Sequence, residues 1–160
     1  MRANTLGLVA GLTLLAACAN QTPAEIATDV ANIATGVASA AATLREGDYL
    51  TPAQLVTVDN AVSAVQAAAL ALANAQTSAA KDSAVEELAT DVNAVDAALS
   101  EVPSVPSQVR SVLSAAEVLL PVVEAAFGVS APFANTAIAM TPSEARAILG
   151  KEAAKFHGGH

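Results

Sequence analysis

Cys18 is the only cysteine in a chain of 160 residues. Its thiol therefore has no partner for an internal disulfide, and its use is chemical. It closes the stretch Leu14-Leu15-Ala16-Ala17-Cys18. Few other residues could do chemistry. His157 and His160 are the only histidines. Two imidazoles on a glycine spacer make a weak, open metal site, so the pair is read as a frayed terminus and no metal is assigned. Glu117 and Glu124 stand seven apart, on one face of any helix that carries them. They lie about 10 Å apart along its axis, too far to share a proton. No histidine lies near a serine in sequence, and there is no Gly-rich phosphate loop. No catalytic residue is assigned, and the chain is read as a non-enzyme.

The residues before Cys18 explain the thiol. Arg2 is a short positive start, Leu6 to Leu15 is an apolar run, and two small residues, Ala16 and Ala17, follow. That is the plan of a secretory signal peptide. The run is shorter than the roughly 20 residues a permanent membrane helix needs. Leu15-Ala16-Ala17-Cys18 resembles the lipobox of bacterial lipoproteins. The resemblance implies recognition by signal peptidase through Leu15, Ala16 and Ala17, and cleavage just before Cys18. It implies a diacylglycerol on the Cys18 sulfur and an acyl group, such as palmitate, on the new amino group. One acyl chain binds a bilayer marginally, whereas two or three hold firmly. Ala19 and Asn20 follow the cysteine. An Asp just after it favours inner-membrane retention in the enteric members of that family. Its absence points to the inner leaflet of the outer membrane, with the chain facing the periplasm. No cofactor is expected beyond this covalent lipid.

Charge narrows the partners. The chain carries −8, and residues 1–17 hold Arg2 and no acid, so the portion from Cys18 onward carries −9. Nucleic acid and anionic lipid headgroups both need a basic face. The apolar fraction is high but dominated by alanine and valine, with Tyr49, Phe127, Phe133 and Phe156 the only aromatics. Such a core must be thin and made of close helix contacts. It is poor material for a ligand pocket, which usually needs bulky apolar and aromatic walls.

Three stretches carry one start pattern: Thr22-Pro23-Ala24-Glu25, Thr51-Pro52-Ala53-Gln54 and Thr141-Pro142-Ser143-Glu144. Each predicts a capping box with proline at the first helical position. Behind the first, Ile26, Val30, Ile33, Val37, Ala40 and Leu44 recur at helical spacing until Gly47. Leu55, Val58, Val62, Val65, Ala69 and Leu72 follow the second. Val85, Leu88, Val92, Val95, Leu99 and Val102 form a third series in a different phase. The polar stretch 74–83 is read as a turn between them, since an unbroken helix over 52–102 would run about 75 Å. Asp29, Asp59, Glu86, Glu87, Asp91 and Asp96 are placed on solvated faces. After the Pro103 and Pro106 connector, a fourth helix is expected from Ser104 or Ser107 to about Ala126, with Pro121 inside it and Gly128 ending it. The uncharged stretch 129–140 reads as a packed loop, and a last helix covers about 142–155.

The expected fold is all-α: an antiparallel bundle of about four helices plus a short C-terminal helix. Residues 1–17 are read as signal peptide, 18–21 as lipidated tether, 22–156 as bundle and 157–160 as tail. Each seam has the 3.5-residue repeat of near-parallel helix packing. A structural or adaptor role follows, with helix faces that bind a protein partner or further copies of the chain. Two alternatives stand beside it. In the first, Ser111 to Met140, with Glu117 and Glu124 its only charges, inserts into membrane as a lysis or pore-forming element. Against it, the same stretch reads as a core helix with two solvent-facing acids, since charge in lipid is costly. In the second, the bundle interior carries a small apolar ligand.

Overall fold

The computed structural model describes residues 22–129 and 140–158. Among them are five helices and no strand: α1 (Pro23–Glu46), α2 (Pro52–Asn74), α3 (Ser78–Ser100), α4 (Ser107–Ala126) and α5 (Pro142–Gly158). The three threonine starts are reciprocal caps. The Thr22 N–H donates to the Glu25 carboxylate at 2.7 Å, that of Thr51 to the Gln54 carbonyl at 3.0 Å, and that of Thr141 to the Glu144 carboxylate at 2.8 Å. In return each threonine hydroxyl accepts from the backbone N–H three residues on, at 3.3 Å. Thr77 caps α3 by accepting from the Ala80 N–H. The polar stretch does break the helix, at residues 75–77. The fourth helix starts at Ser107, and Gly128 follows its end with φ of +75°, the left-handed conformation that glycine adopts without a Cβ penalty. The last helix runs to Gly158, three residues beyond the expected end.

The three apolar series become the seams. Val30, Ile33, Val37, Ala40 and Leu44 on α1, Val58, Val62, Val65, Ala69 and Leu72 on α2, and the whole third series along α3 to Val102 are buried. They join one core with Val109, Val112, Ala116, Leu119 and Val123 of α4. The buried side chains are aliphatic, and Phe127 only borders them. The helices pack α1 on α2, α2 on α3, α3 on α4 and α4 on α1, while α5 packs on both α1 and α4.

Contacts at the helix ends show which termini meet. Arg45, near the end of α1, pairs with Asp59, near the start of α2. The Gln54 amide at the start of α2 donates to the Glu101 carbonyl just past α3. At the other end, the start of α1, the end of α2, the start of α3 and the end of α4 line one cleft. Along α5 the partners advance with those on α1: Arg146 meets Asp29, Leu149 meets Gly36 and Glu152 meets Ser39. A Cβ on Gly36 would stand 2.6 Å from Leu149 Cδ2, so the missing side chain lets α5 approach α1 closely.

Two sequence expectations are corrected by this seating of α5 and α4. Asp29 does not lie on a solvated face: it is 2 % exposed, because α5 covers the side of α1 next to its main seam. The two acids of α4 are not solvent-facing. Glu124 is 1 % exposed and Glu117 is half-buried, because neighbours close on α4 from more than one side.

Candidate functional site

Cys18, with Leu15, Ala16 and Ala17, lies outside the described residues, as do residues 130–139 and His160. His157 falls in the last turn of α5. Among the described residues no cluster of three His, Cys, Asp or Glu could hold a metal ion. What the fold brings together is of three kinds: buried acids, an uncharged outer face and an apolar cleft.

Among the described residues three charged side chains are buried, all on α1, α4 and α5. Asp29 receives a forked contact from Arg146: Nε donates to Oδ1 at 2.9 Å and to Oδ2 at 3.0 Å, and Nη2 donates to Oδ2 at 2.9 Å. This planar geometry compensates a carboxylate taken out of water. Glu152 Oε1 accepts from Lys155 Nζ at 2.7 Å, and Oε2 accepts from Gln108 Nε2 at 3.1 Å. Burial pushes the Glu152 carboxyl up, but the Lys155 hydrogen bond and charge outweigh it, helped by Gln108 and Lys151, and hold it below its ordinary value. Glu124 differs. Its Oε2 has no hydrogen-bond partner among the described residues, and burial raises its pKa. Glu117 is raised as well, by burial and then by the Asp96 charge. None of these three buried acids lines the cleft described below.

Helix α2 turns a second face outward. It is the one helix among the described residues that is long and apolar enough to cross a membrane by length and composition. Its seam is nevertheless in the core, and its one charge, Asp59, pairs with Arg45. Ala53, Val56, Asn60, Ser63, Ala67 and Leu70 lie exposed at alternating spacings of three and four. Val56 is 61 % and Leu70 64 % exposed.

The cleft has a volume of about 640 Å³. Pro23, Ile26, Ala27, Val30 and Ala31 of α1 form one wall, and Ala69, Leu70, Leu72 and Ala73 of α2, with Ala75, form another. Ala126 and Phe127 close it from α4, and Lys81 reaches it from α3. Composition suggested poor material for a pocket. The cleft arises from that same composition, because alanines at converging helix ends are too small to fill the space between them. No sequence motif marked it, since its walls come from four helices. Compared with protein-family models, curated proteins and solved structures, the chain matches none.

Proposed function

We propose that this chain is a lipoprotein of the bacterial envelope, anchored through lipid on Cys18 to the inner leaflet of the outer membrane and facing the periplasm. Its body is an antiparallel four-helix bundle with α5 alongside, and it acts as an adaptor that binds a protein through the outer face of α2. The lipobox-like Leu15-Ala16-Ala17-Cys18 supports the anchor, and the first described helix begins at Pro23, five residues after the cysteine. The alternating helix termini at the two ends of the molecule support the up-and-down order, as do connections of only a few residues.

The observation that carries the adaptor role is the face of α2 that no other described helix covers. A continuous uncharged stripe with exposed Val and Leu is costly to leave in water, and such stripes recur where a second helix docks. A photo-crosslinking residue at Val56 tests it in living cells, beside one at Glu86 on the exposed side of α3. We expect one envelope protein captured from Val56, not from Glu86, and lost in the Cys18→Ser form. Equal capture from both positions would sink the adaptor reading. Ladders of the chain itself would replace it with a structural oligomer. The anchor is tested separately: incorporation of labelled palmitate should vanish with Cys18→Ser.

A further inference from the structure

We propose that the cleft between the start of α1 and the end of α2 binds a long-chain fatty acid, its hydrocarbon chain against the alanine walls and its carboxylate on Lys81. The cleft is within the range of about 300–1,000 Å³ typical of small-molecule sites, at about 640 Å³. Among the described residues every lining residue but Lys81 is apolar, and no acid lines it. Lys81 is half-buried, and its ammonium makes no hydrogen bond or ion pair with a described residue. Its aliphatic stem continues the apolar wall while the head stays available at the rim. One cation on an apolar cleft complements one anion on an apolar chain. The carboxylate gains a charge-assisted hydrogen bond, and each methylene that leaves water adds to binding.

The lining chemistry, one lysine on apolar walls, favours a lipid anion over a docking helix. On α1 the lining spans Pro23 to Ala31, about 12 Å of axis. Helix anchors at i, i+3, i+4 and i+7 span about 10 Å, so length admits either occupant, and the single cation among apolar walls selects the lipid anion. The location also fits, because Pro23, on the cleft wall, follows Cys18 by five residues in the sequence. This inference does not depend on the adaptor role. Val56 lies outside the cleft, so either reading can fail without the other.

Binding of oleate and of oleyl alcohol to the full chain carrying Cys18→Ser tests it, by native mass spectrometry and competition with a fluorescent fatty acid. We expect one saturable site. Lys81→Met should weaken oleate about tenfold and leave the alcohol unchanged. Ala27→Trp, at an exposed position on the wall, should weaken both at least tenfold with helix content intact. Ala73→Phe repeats that test from the opposite wall if Ala27→Trp does not fold. No saturable oleate binding, or oleate binding indifferent to Lys81→Met or to both wall variants, overturns the proposal. So does a lipidated chain, extracted from membranes, that refuses oleate while the Cys18→Ser form accepts it. The occupant would then be the protein's own acyl anchor.

Discussion

Helices α2 and α3 each pack on two neighbours, whereas α1 and α4 each pack on three, α5 among them. The difference shows in what each region buries. The covered residues of α2 are Val58, Val62, Val65, Ala68, Ala69 and Leu72, and those of α3 are equally aliphatic. The three-helix side buries ten residues on α1 and ten on α4, and Asp29, Glu124 and Glu152 are among its covered groups. Helices α2 and α3, with two partners each, bury none of their acids. Helices α1 and α4, with three partners each, have less free surface, and buried acids on that side must be matched or carried at a cost. Asp29 and Glu152 are matched; Glu124 keeps an unsatisfied oxygen. The same contrast locates the surfaces proposed for function. The outer face of α2 is free because α2 has fewer neighbours, and the cleft lies where α2 meets α1.

The contrast can be broken most directly by cutting a core leucine on each side. Leu88→Ala on the seam and Leu149→Ala on the three-helix side should each cost about 2–5 kcal/mol in urea unfolding, since both are fully buried and a cavity adds to the lost transfer energy. Hydrogen exchange should separate them. Leu88→Ala should loosen α2 and α3 first, and protection lost equally in all five helices would erase the distinction between regions.

Removing a partner from a buried charge comes next. Arg146→Ala leaves Asp29 covered and uncompensated and should cost about 3 kcal/mol. The comparable ion pair at α2 is Arg45 with Asp59, whose side chains are 53 % and 42 % exposed. A loss as large from Arg45→Ala would contradict the comparison.

Glu124→Leu should act in the opposite direction, stabilising the fold at pH 7 by about 1–3 kcal/mol, because it removes a buried acid with an unpaired oxygen. Its pH dependence follows from the raised pKa. The Glu124 contribution is present in full below its ordinary value of 4.5 and is lost as pH rises through the higher value in the fold. Glu117, also raised, adds the same trend, and Glu152, held low, adds the reverse: its stability is present above 4.5 and lost as pH falls through its lowered value. Glu124→Leu should therefore flatten the decline on the alkaline side of 4.5, and Glu152→Gln the decline on the acid side. Thermal unfolding across that range reads both.

The smallest effects are local. Thr51→Ala removes a capping box and should cost about 1 kcal/mol. Arg45→Ala should cost less than about 1 kcal/mol and become undetectable at high salt.

Much of this fold is legible in the residues themselves. The caps at Thr22, Thr51 and Thr141 and the stop at Gly128 follow from bonds and dihedrals between residues a few positions apart. The apolar series of the first three helices follow from the 3.6-residue period, so their buried positions can be read one helix at a time. The break at residues 75–77 is visible as a slip in phase between two series. The candidate sites were much less legible. Lys81 has no distinguishing neighbours in sequence, and its value as a cation lies in the walls that α1, α2 and α4 place around it. Asp29 looks like any acid between seams until α5 arrives with Arg146.

The sequence by itself determined that this chain forms amphipathic, alanine-rich helices and where the threonine-capped ones at Pro23, Pro52 and Pro142 begin. Those features rest on interactions within one or two helical turns, which need no partner to be specified. Only the tertiary structure decided how many faces of each helix are covered. That choice set which acids are buried, which stripe of α2 remains open, and where small side chains leave a cleft. Coverage depends on residues more than a hundred positions apart, such as Asp29 and Arg146, meeting across packed helices, and no local pattern encodes that meeting.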